Sequence, residues 1–186
     1  SALPPMAPVV PSPAARMLKQ TVISSFSLSA AAQRETLLII PCSGEKQKGG
    51  NIEHLGASIT DELSAALATR LLAARRPVLA EAQADERSLM PAWQRYSGMF
   101  YDCANVALTA AIDAGLHVLI LSGGYGVIRA SDPIGQYSAR LKLAAWPRGL
   151  LEEVLLAYAE RHRLRSMRAF LSETTDYCRE IGRAHV

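Results

Sequence analysis

The sequence predicts an α/β fold of three layers, in which a mostly parallel sheet carries helices on both faces. Short apolar runs at residues 36–40, 118–121 and 168–171 have the length and the branched side chains of buried strands. Segments with a helical spacing of apolar residues alternate with these runs. Such alternation indicates βαβ units, whose strands lie parallel in one sheet.

The domain organisation follows from composition. The 186 residues fit one domain, and 49% hydrophobic with 20% charged residues is typical of a globular chain. We expect residues 1–34 to be a disordered tail, rich first in proline and then in alanine and serine. Residues 35–186 should form a single α/β domain that is incomplete at its C-terminus. Residues 181–186 match a translated sequencing adapter, and Met17 can serve as a start, so whether residues 1–16 and 181–186 are native stays open.

Charge and cysteine usage restrict the partners and the compartment. A net charge of +3 permits an anionic partner without requiring one. Three cysteines are too few for a disulfide framework, so we expect a reducing, cytoplasmic location. No apolar run is long enough to cross a bilayer, and serines interrupt the signal-like stretch after Met17, so no membrane partner is expected. The oligomeric state is left open.

The first half of the chain contains one predicted strand and one predicted helix. The strand at residues 36–40 leads into a polar loop with several glycines. A helix should cover residues 58–75, begun by a serine or threonine cap and stopped by Pro77. Residues 77–91 fit either a short helix or irregular chain.

The second half alternates helix and strand. We predict a helix over residues 97–114 that ends at Gly115, followed by the strand at 118–121. A third helix should span residues 148–163 and precede the strand at 168–171. The stripe of small apolar residues that should pack the first of these helices on the sheet is Val106, Ala110 and Ala114.

Polar loops leave the carboxyl ends of the predicted strands, where open α/β sheets bind their ligands. In the first loop, Cys42 lies near Lys46, and a thiol beside a cation can act as a nucleophile. Alternatively, Cys42 is a small apolar residue that closes a strand. The cysteines are too widely spaced for a zinc site, and no C-x-x-C or H-x-x-x-H pair exists, so we predict no metal site. We also expect no cofactor.

The second loop is rich in glycine and follows the strand at 118–121. It matches neither of the common phosphate-binding glycine motifs, so it is either a structural turn or one wall of a pocket. Behind it, Arg129 can clamp an anion or a base edge, and Asp132 can act as a general base. Arg95 and Tyr96 can stack on a nucleobase, or the aromatic residues around them are core anchors with Arg95 on the surface.

The candidate site therefore draws on loops from separate parts of the chain. The predicted catalytic residues are Cys42 and Asp132. The predicted ligand-binding residues are Ser43, Lys46, Arg95, Tyr96, Gly123, Gly124, Tyr125, Arg129, Tyr137, Thr175 and Asp176.

Four stretches resemble the YaaA family of peroxide-stress proteins and its shorter bacterial and phage relatives. Residues 40–46 look like the family's first strand and loop, and residues 95–101 are similar to its aromatic-glycine segment. Residues 121–137 resemble its segment LSGLYGVLRPLD…PY, and residues 172–177 its ASDEY loop. The chain departs from the pattern at Gly124, at Ala130-Ser131, and in lacking the C-terminal third of a full-length member.

The resemblance implies a protein associated with DNA protection during peroxide stress and with lowered free iron, whose partner is DNA, a nucleotide or a nucleobase. A related domain serves in placing 7-deazaguanine bases in DNA, where a nitrile is hydrolysed. The alternative is therefore an enzyme that hydrolyses a modified nucleobase or nucleoside, of glycosidase or nitrile-hydrolase type. The sheet also resembles that of uracil-DNA-glycosylase-type folds, an analogy of fold alone. A third interpretation is a scaffold whose loops serve only packing.

Overall fold

A computed structural model describes residues 30–50 and 57–171 of the chain. Its helices are α1 (Ala30–Arg34), α2 (Ala65–Glu81), α3 (Ala92–Arg95), α4 (Met99–Asp113) and α5 (Leu150–Arg161). Its strands are β1 (Thr36–Pro41), β2 (Asp85–Pro91), β3 (His117–Ser122), β4 (Gly126–Arg129), β5 (Pro133–Gln136) and β6 (Ser166–Ala169). Two 3-10 turns lie at Ile59–Glu62 and Leu143–Ala145.

The main sheet has the strand order β4-β3-β1-β6. Its three strands β3, β1 and β6 are parallel, whereas β4 pairs antiparallel with β3. A separate two-stranded antiparallel sheet joins β2 to β5. The prediction of an α/β chain with a mostly parallel sheet is therefore confirmed, and the full three-layer arrangement stays a prediction.

The central strand β1 is buried along almost its whole length, as expected for a parallel strand covered on two sides. Leu37 and Ile39 pack in a cluster with side chains of α2 and α5. The alternate residues Leu38 and Ile40 pack in a second cluster with side chains of α4. Because successive side chains of a strand point to opposite faces, one apolar run contributes to both clusters.

The helix predicted at residues 58–75 is two elements, and Pro77 does not end it. Ser58 caps the first 3-10 turn in a capping box, and Ser64 then caps α2. Helix α2 continues through Pro77 to Glu81. Pro77 has no N–H group to donate to the Ala73 carbonyl. Both residues are exposed, so water can supply the missing hydrogen bond.

The predicted packing face of α4 is wrong. Burying Tyr101 and Leu108 removes more apolar surface from water than burying the residues of the predicted stripe would. Val106 is 84% exposed, and Ala110 and Ala114 are exposed as well. The residues that α4 buries are Tyr101, Ala104, Leu108 and Ala111.

The remaining boundaries differ by a few residues. The third predicted strand lies two positions earlier, as β6, and the ambiguous segment before residue 91 contains β2. Strands β4 and β5 were not predicted, because four residues are too few to show a period. The short helix α1 forms within the predicted tail, whose residues 1–29 lie outside the described part, as do residues 172–186.

Candidate functional site

Five side chains meet where the parallel strands β1 and β3 end. These strands lie side by side, and the Cys42 N–H donates to the Leu121 carbonyl at 3.0 Å, so both following loops leave the sheet at one edge. The loop after β1 pairs with the segment between α3 and α4 through an antiparallel bridge of Lys46 with Tyr96. We name this group the carboxyl-edge cluster: Cys42, Lys46, Tyr96, Ser122 and Tyr137.

Three buried hydroxyl groups form the floor of the cluster. The Tyr96 hydroxyl lies 2.6 Å from that of Tyr137, and it donates to Ser122 Oγ at 3.0 Å. Ser122 Oγ also lies 2.8 Å from the Tyr137 hydroxyl and accepts the Tyr125 N–H at 3.0 Å. Burial raises the pKa of both Tyr96 and Tyr137, so both phenols stay protonated at neutral pH.

Lys46 lies above this floor. Its Nζ is 4.1 Å from the centre of the Tyr137 ring, a cation–π distance, and donates to the Ser43 carbonyl at 3.0 Å. Burial lowers the pKa of Lys46, and the Cys42 thiol opposes this shift. The ammonium group is thus half-buried and held on two sides.

Cys42 completes the cluster next to Lys46. Its side chain is half-buried, and it adds to the upward pKa shifts that burial causes in Tyr96 and Tyr137. A thiol beside an ammonium group can act as a nucleophile. Ser43 follows in the same loop, where its Oγ accepts the Glu45 N–H at 3.1 Å.

The glycine-rich turn packs closely against neighbouring parts of the chain. A Cβ on Gly124 would lie 2.9 Å from the Tyr137 ring, and one on Gly123 would lie 2.4 Å from the Ala139 carbonyl oxygen. The Tyr125 hydroxyl donates to Glu86 at 2.9 Å and accepts the Gly135 N–H at 3.0 Å. The turn therefore supports the chain that carries Tyr137.

One side of this turn is open. A cavity of about 110 Å³ is bounded by Gly123, Ser138, Arg140 and Lys142, among others. Neither Arg140 nor Lys142 was predicted as a site residue, because two cations in a loop carry no periodic or motif signal. Glu81 of α2 also borders the cavity.

Arg95 is a structural residue, contrary to both predicted roles. Its side chain is fully buried, so it neither stacks on a ligand nor lies at the surface. It donates to the carbonyls of Gln47 at 2.7 Å, Gly49 at 2.8 Å and Ser88 at 2.7 Å. Arg95 thereby fastens the loop after β1 to β2, and burial lowers its pKa.

Arg129 and Asp132 lie at the opposite edge of the sheet from the cluster. Strand β4 runs back along β3, so Arg129 pairs with Leu119, three residues before Ser122. That is about 10 Å along the strand, since each residue advances about 3.3 Å. Their prediction as part of one pocket with Lys46 is therefore wrong.

Asp132 is also poorly suited to act as a general base. It is 2% exposed, and its carboxylate accepts Arg129 Nε at 2.7 Å. It accepts the backbone N–H groups of Ile59 and of Arg129, each at 3.0 Å. All of these donors belong to the protein, so Asp132 joins the first 3-10 turn to the end of β4.

The remaining predicted site residues are two buried tyrosines and two residues outside the described part of the chain. Tyr96 and Tyr137 belong to the cluster, but as its buried floor, with 2% and 5% exposure. Ser122 was missed as a site residue, although it lies in the motif that drew attention to this loop. Thr175 and Asp176 lie outside the described residues.

Two features are absent from the described part of the chain. Among the helices within residues 30–50 and 57–171, none combines the length and the apolar character needed to cross a membrane. Within the same ranges, no three or more His, Cys, Asp or Glu side chains are grouped so that they could hold a metal ion.

Comparison of the chain with models of protein families, with curated proteins and with solved structures finds no match. The resemblance to the YaaA family stays a prediction that depends on the four sequence stretches.

Proposed function

We propose that the carboxyl-edge cluster binds a nucleotide or a nucleobase, and that the protein serves in the cytoplasm as a YaaA-like factor in DNA protection during peroxide stress. The single observation that carries the proposal is the half-buried Lys46 ammonium, held over the tyrosine floor at the edge where parallel strands end. Ligands of open α/β sheets bind at this edge.

The burial of the tyrosines defines which groups meet the ligand. Tyr96 and Tyr137 are too buried to stack on a base, so they position Lys46 instead. Ligand contacts then fall to Lys46, Cys42 and Ser43, which are all half-buried. An ammonium and a hydroxyl group suit the oxygen and nitrogen acceptors of a base edge or the oxygens of a phosphate.

The cavity beside Gly123 supports an anionic ligand. Arg140 and Lys142 bring two positive charges to it against one negative charge from Glu81. Only two residues separate Tyr137 from Arg140 in the chain, so a phosphate at this cavity can belong to a ligand whose base lies near Lys46. Contacts of this kind make binding dependent on salt concentration.

The test is binding of a labelled single-stranded oligonucleotide, a duplex and nucleoside monophosphates across a salt series. Lys46→Met should weaken binding at least about tenfold, the equivalent of ~1.4 kcal/mol. Lys48→Met is the matched control, because Lys48 is an exposed lysine two positions along the same loop. Equal effects of the two substitutions, or no salt-sensitive binding at all, contradict the proposal.

A second candidate function is hydrolysis of a modified nucleobase or nucleoside. The observation that favours it is the position of Cys42 beside Lys46. At a nitrile, the Cys42 sulfur can add to the carbon while the nitrogen takes the thiol proton, and two waters then release ammonia and the carboxylic acid; at a nucleoside, the sulfur can displace the base from the sugar carbon, and one water then releases the sugar. Asp132 takes no part, because its carboxylate is occupied at the other edge of the sheet.

The assay for this candidate follows release of a free base from a nucleoside, and of ammonia from a nitrile-bearing 7-deazaguanine. Cys42→Ala should abolish turnover, whereas Cys103→Ala should not, because Cys103 lies exposed on α4. Turnover that survives in Cys42→Ala removes the cysteine from the mechanism.

A further inference from the structure

A second group of titratable side chains lies at the amino edge of the sheet and takes no part in the proposed function. It borders a cavity of about 350 Å³, which also contacts Ser131 and the apolar side chains of Ile112 and Leu116. We name this group the amino-edge cluster: Glu62, His117, Arg129, Tyr158 and His162. Its members come from the first 3-10 turn, β3, β4 and the end of α5.

The contacts within the amino-edge cluster form a continuous chain. The Glu62 carboxylate contacts Arg129 through one oxygen and His162 Nε2 through the other. His117 Nδ1 lies 3.0 Å from the Tyr158 hydroxyl. The rings of His117 and His162 have centres 4.5 Å apart, and the Tyr158 ring lies 4.5 Å from that of His162.

These contacts fasten three elements to one another. Glu62 ends the first 3-10 turn, His117 begins β3, and His162 is the residue that follows the last turn of α5. The two imidazole rings therefore form one contact between the end of α5 and the start of β3, beside the contact of Tyr158 with His117. Any repulsion between them acts directly on that contact.

The charge state of the cluster changes with each proton it binds. The groups that face the two histidines are Glu62 from the 3-10 turn, Arg129 from β4, Asp132 from the turn after β4 and Tyr158 from α5. With neutral imidazoles, one arginine and two carboxylates leave a net charge of −1. A single imidazolium balances this charge, whereas two imidazolium ions place positive charges in adjacent rings, 4.5 Å apart, beside Arg129.

We propose that the His117–His162 pair is a proton-operated latch, which fastens the end of α5 and the first 3-10 turn to the sheet and releases them when both rings are protonated. The release moves one wall of the 350 Å³ cavity at the amino edge, because His117 and His162 both line it. The latch contains no residue of the carboxyl-edge cluster, so its test does not depend on the proposed function.

The direction of the pH dependence follows from His117. Burial lowers the pKa of His117 below its usual 6.5, the charge of His162 lowers it further, and Glu62 acts in the opposite sense. Between 6.5 and the folded-state value, the unfolded chain therefore binds more protons at this position than the folded chain. The contribution of His117 to the free energy of unfolding is full above this pH window, falls as the pH drops through it, and is not regained below it.

The test combines urea unfolding from pH 7.5 to pH 5 with NMR titration of the imidazole signals. In the wild-type protein, His117 should contribute up to a ~10-fold rise in the unfolding equilibrium constant per pH unit within its window. His117→Gln, which keeps a hydrogen-bonding partner for Tyr158, should remove that contribution. His54→Gln and His185→Gln, at the other two histidines of the chain, identify the remaining imidazole signals by difference.

His162→Gln provides a second readout that does not depend on His117→Gln folding. It removes a neighbouring positive charge and frees Glu62, so the pKa of His117 should rise in this variant. The proposal is overturned if His117 titrates at the same pH with and without His162. It is overturned equally if His117 titrates above 6.5 in the wild-type protein, or if the wild-type and His117→Gln profiles are parallel.

Discussion

Replacing Asp132 with asparagine separates a structural role of this carboxylate from a catalytic one. Asparagine keeps the size and planar shape of the side chain but converts one oxygen into an NH₂ donor. With its oxygen toward the backbone N–H groups of Ile59 and Arg129, its NH₂ faces Arg129 Nε, and two donors oppose each other. With the side chain flipped, the NH₂ faces both backbone donors.

The magnitude follows from the better of these orientations. Asp132→Asn then loses one hydrogen bond between charged groups, worth about 1.5–3 kcal/mol, and leaves a buried donor without its acceptor. Breaking a buried ion pair outright costs about 3–5 kcal/mol, but Arg129 keeps its contact with Glu62. We therefore expect a loss of about 2–3 kcal/mol in the free energy of unfolding.

Urea unfolding measures this loss. For a slope of about 2 kcal/mol/M, the midpoint should fall by roughly 1 to 1.5 M. Glu153→Gln is the control, because Glu153 pairs with Arg70 at 2.7 Å with about half of each side chain exposed. Such a pair contributes less than about 1 kcal/mol, so this variant should unfold close to the wild-type midpoint.

The outcome that refutes the reasoning is specific. If Asp132→Asn unfolds at the wild-type midpoint, the carboxylate does not hold the first 3-10 turn to β4. If it also loses turnover of a modified nucleoside while staying folded, the general-base role predicted from the sequence has to be restored.

Two further predictions concern packing around the carboxyl-edge cluster. Arg95→Met removes three short hydrogen bonds to carbonyl groups and should lower the free energy of unfolding by at least about 3 kcal/mol. Arg87→Met is the control, and it should leave the urea midpoint unchanged because Arg87 is exposed. Gly123→Ala should cost about 1–3 kcal/mol, because its Cβ would lie 2.4 Å from a backbone oxygen. A Cβ on Gly44 would have no atom within 4 Å, so Gly44→Ala should keep the free energy of unfolding within about 0.5 kcal/mol of wild type. Equal urea midpoints for the two glycine variants would contradict this explanation by packing.

Part of the candidate site could be predicted from the sequence. Cys42 and Lys46 follow an apolar run directly, so a strand assignment alone places them at a strand end. Ser122 could have been predicted by the same reasoning, because it ends the run that β3 forms. Its partners Tyr96 and Tyr137 are distant in the chain, and no local period shows that three hydroxyl groups meet.

Arg95 and Arg129 show why charged residues misled the sequence argument. An arginine between polar and aromatic neighbours has the same local pattern whether it binds a ligand or the backbone. Arg95 is buried because carbonyl groups from two separate segments surround it, and only the folded chain brings these segments together.

The amino-acid sequence by itself determined the α/β class, the strands β1 and β3, and the polar loops that follow them. These features depend on the apolar character and length of contiguous segments, which local composition encodes. The tertiary structure alone decided which polar residues share an edge of the sheet. Gly126, with φ at 72°, begins β4 as it turns back along β3, and this reversal carries Arg129 and Asp132 away from Lys46. Strand direction is set by pairing between distant segments, so no period within a segment predicts it.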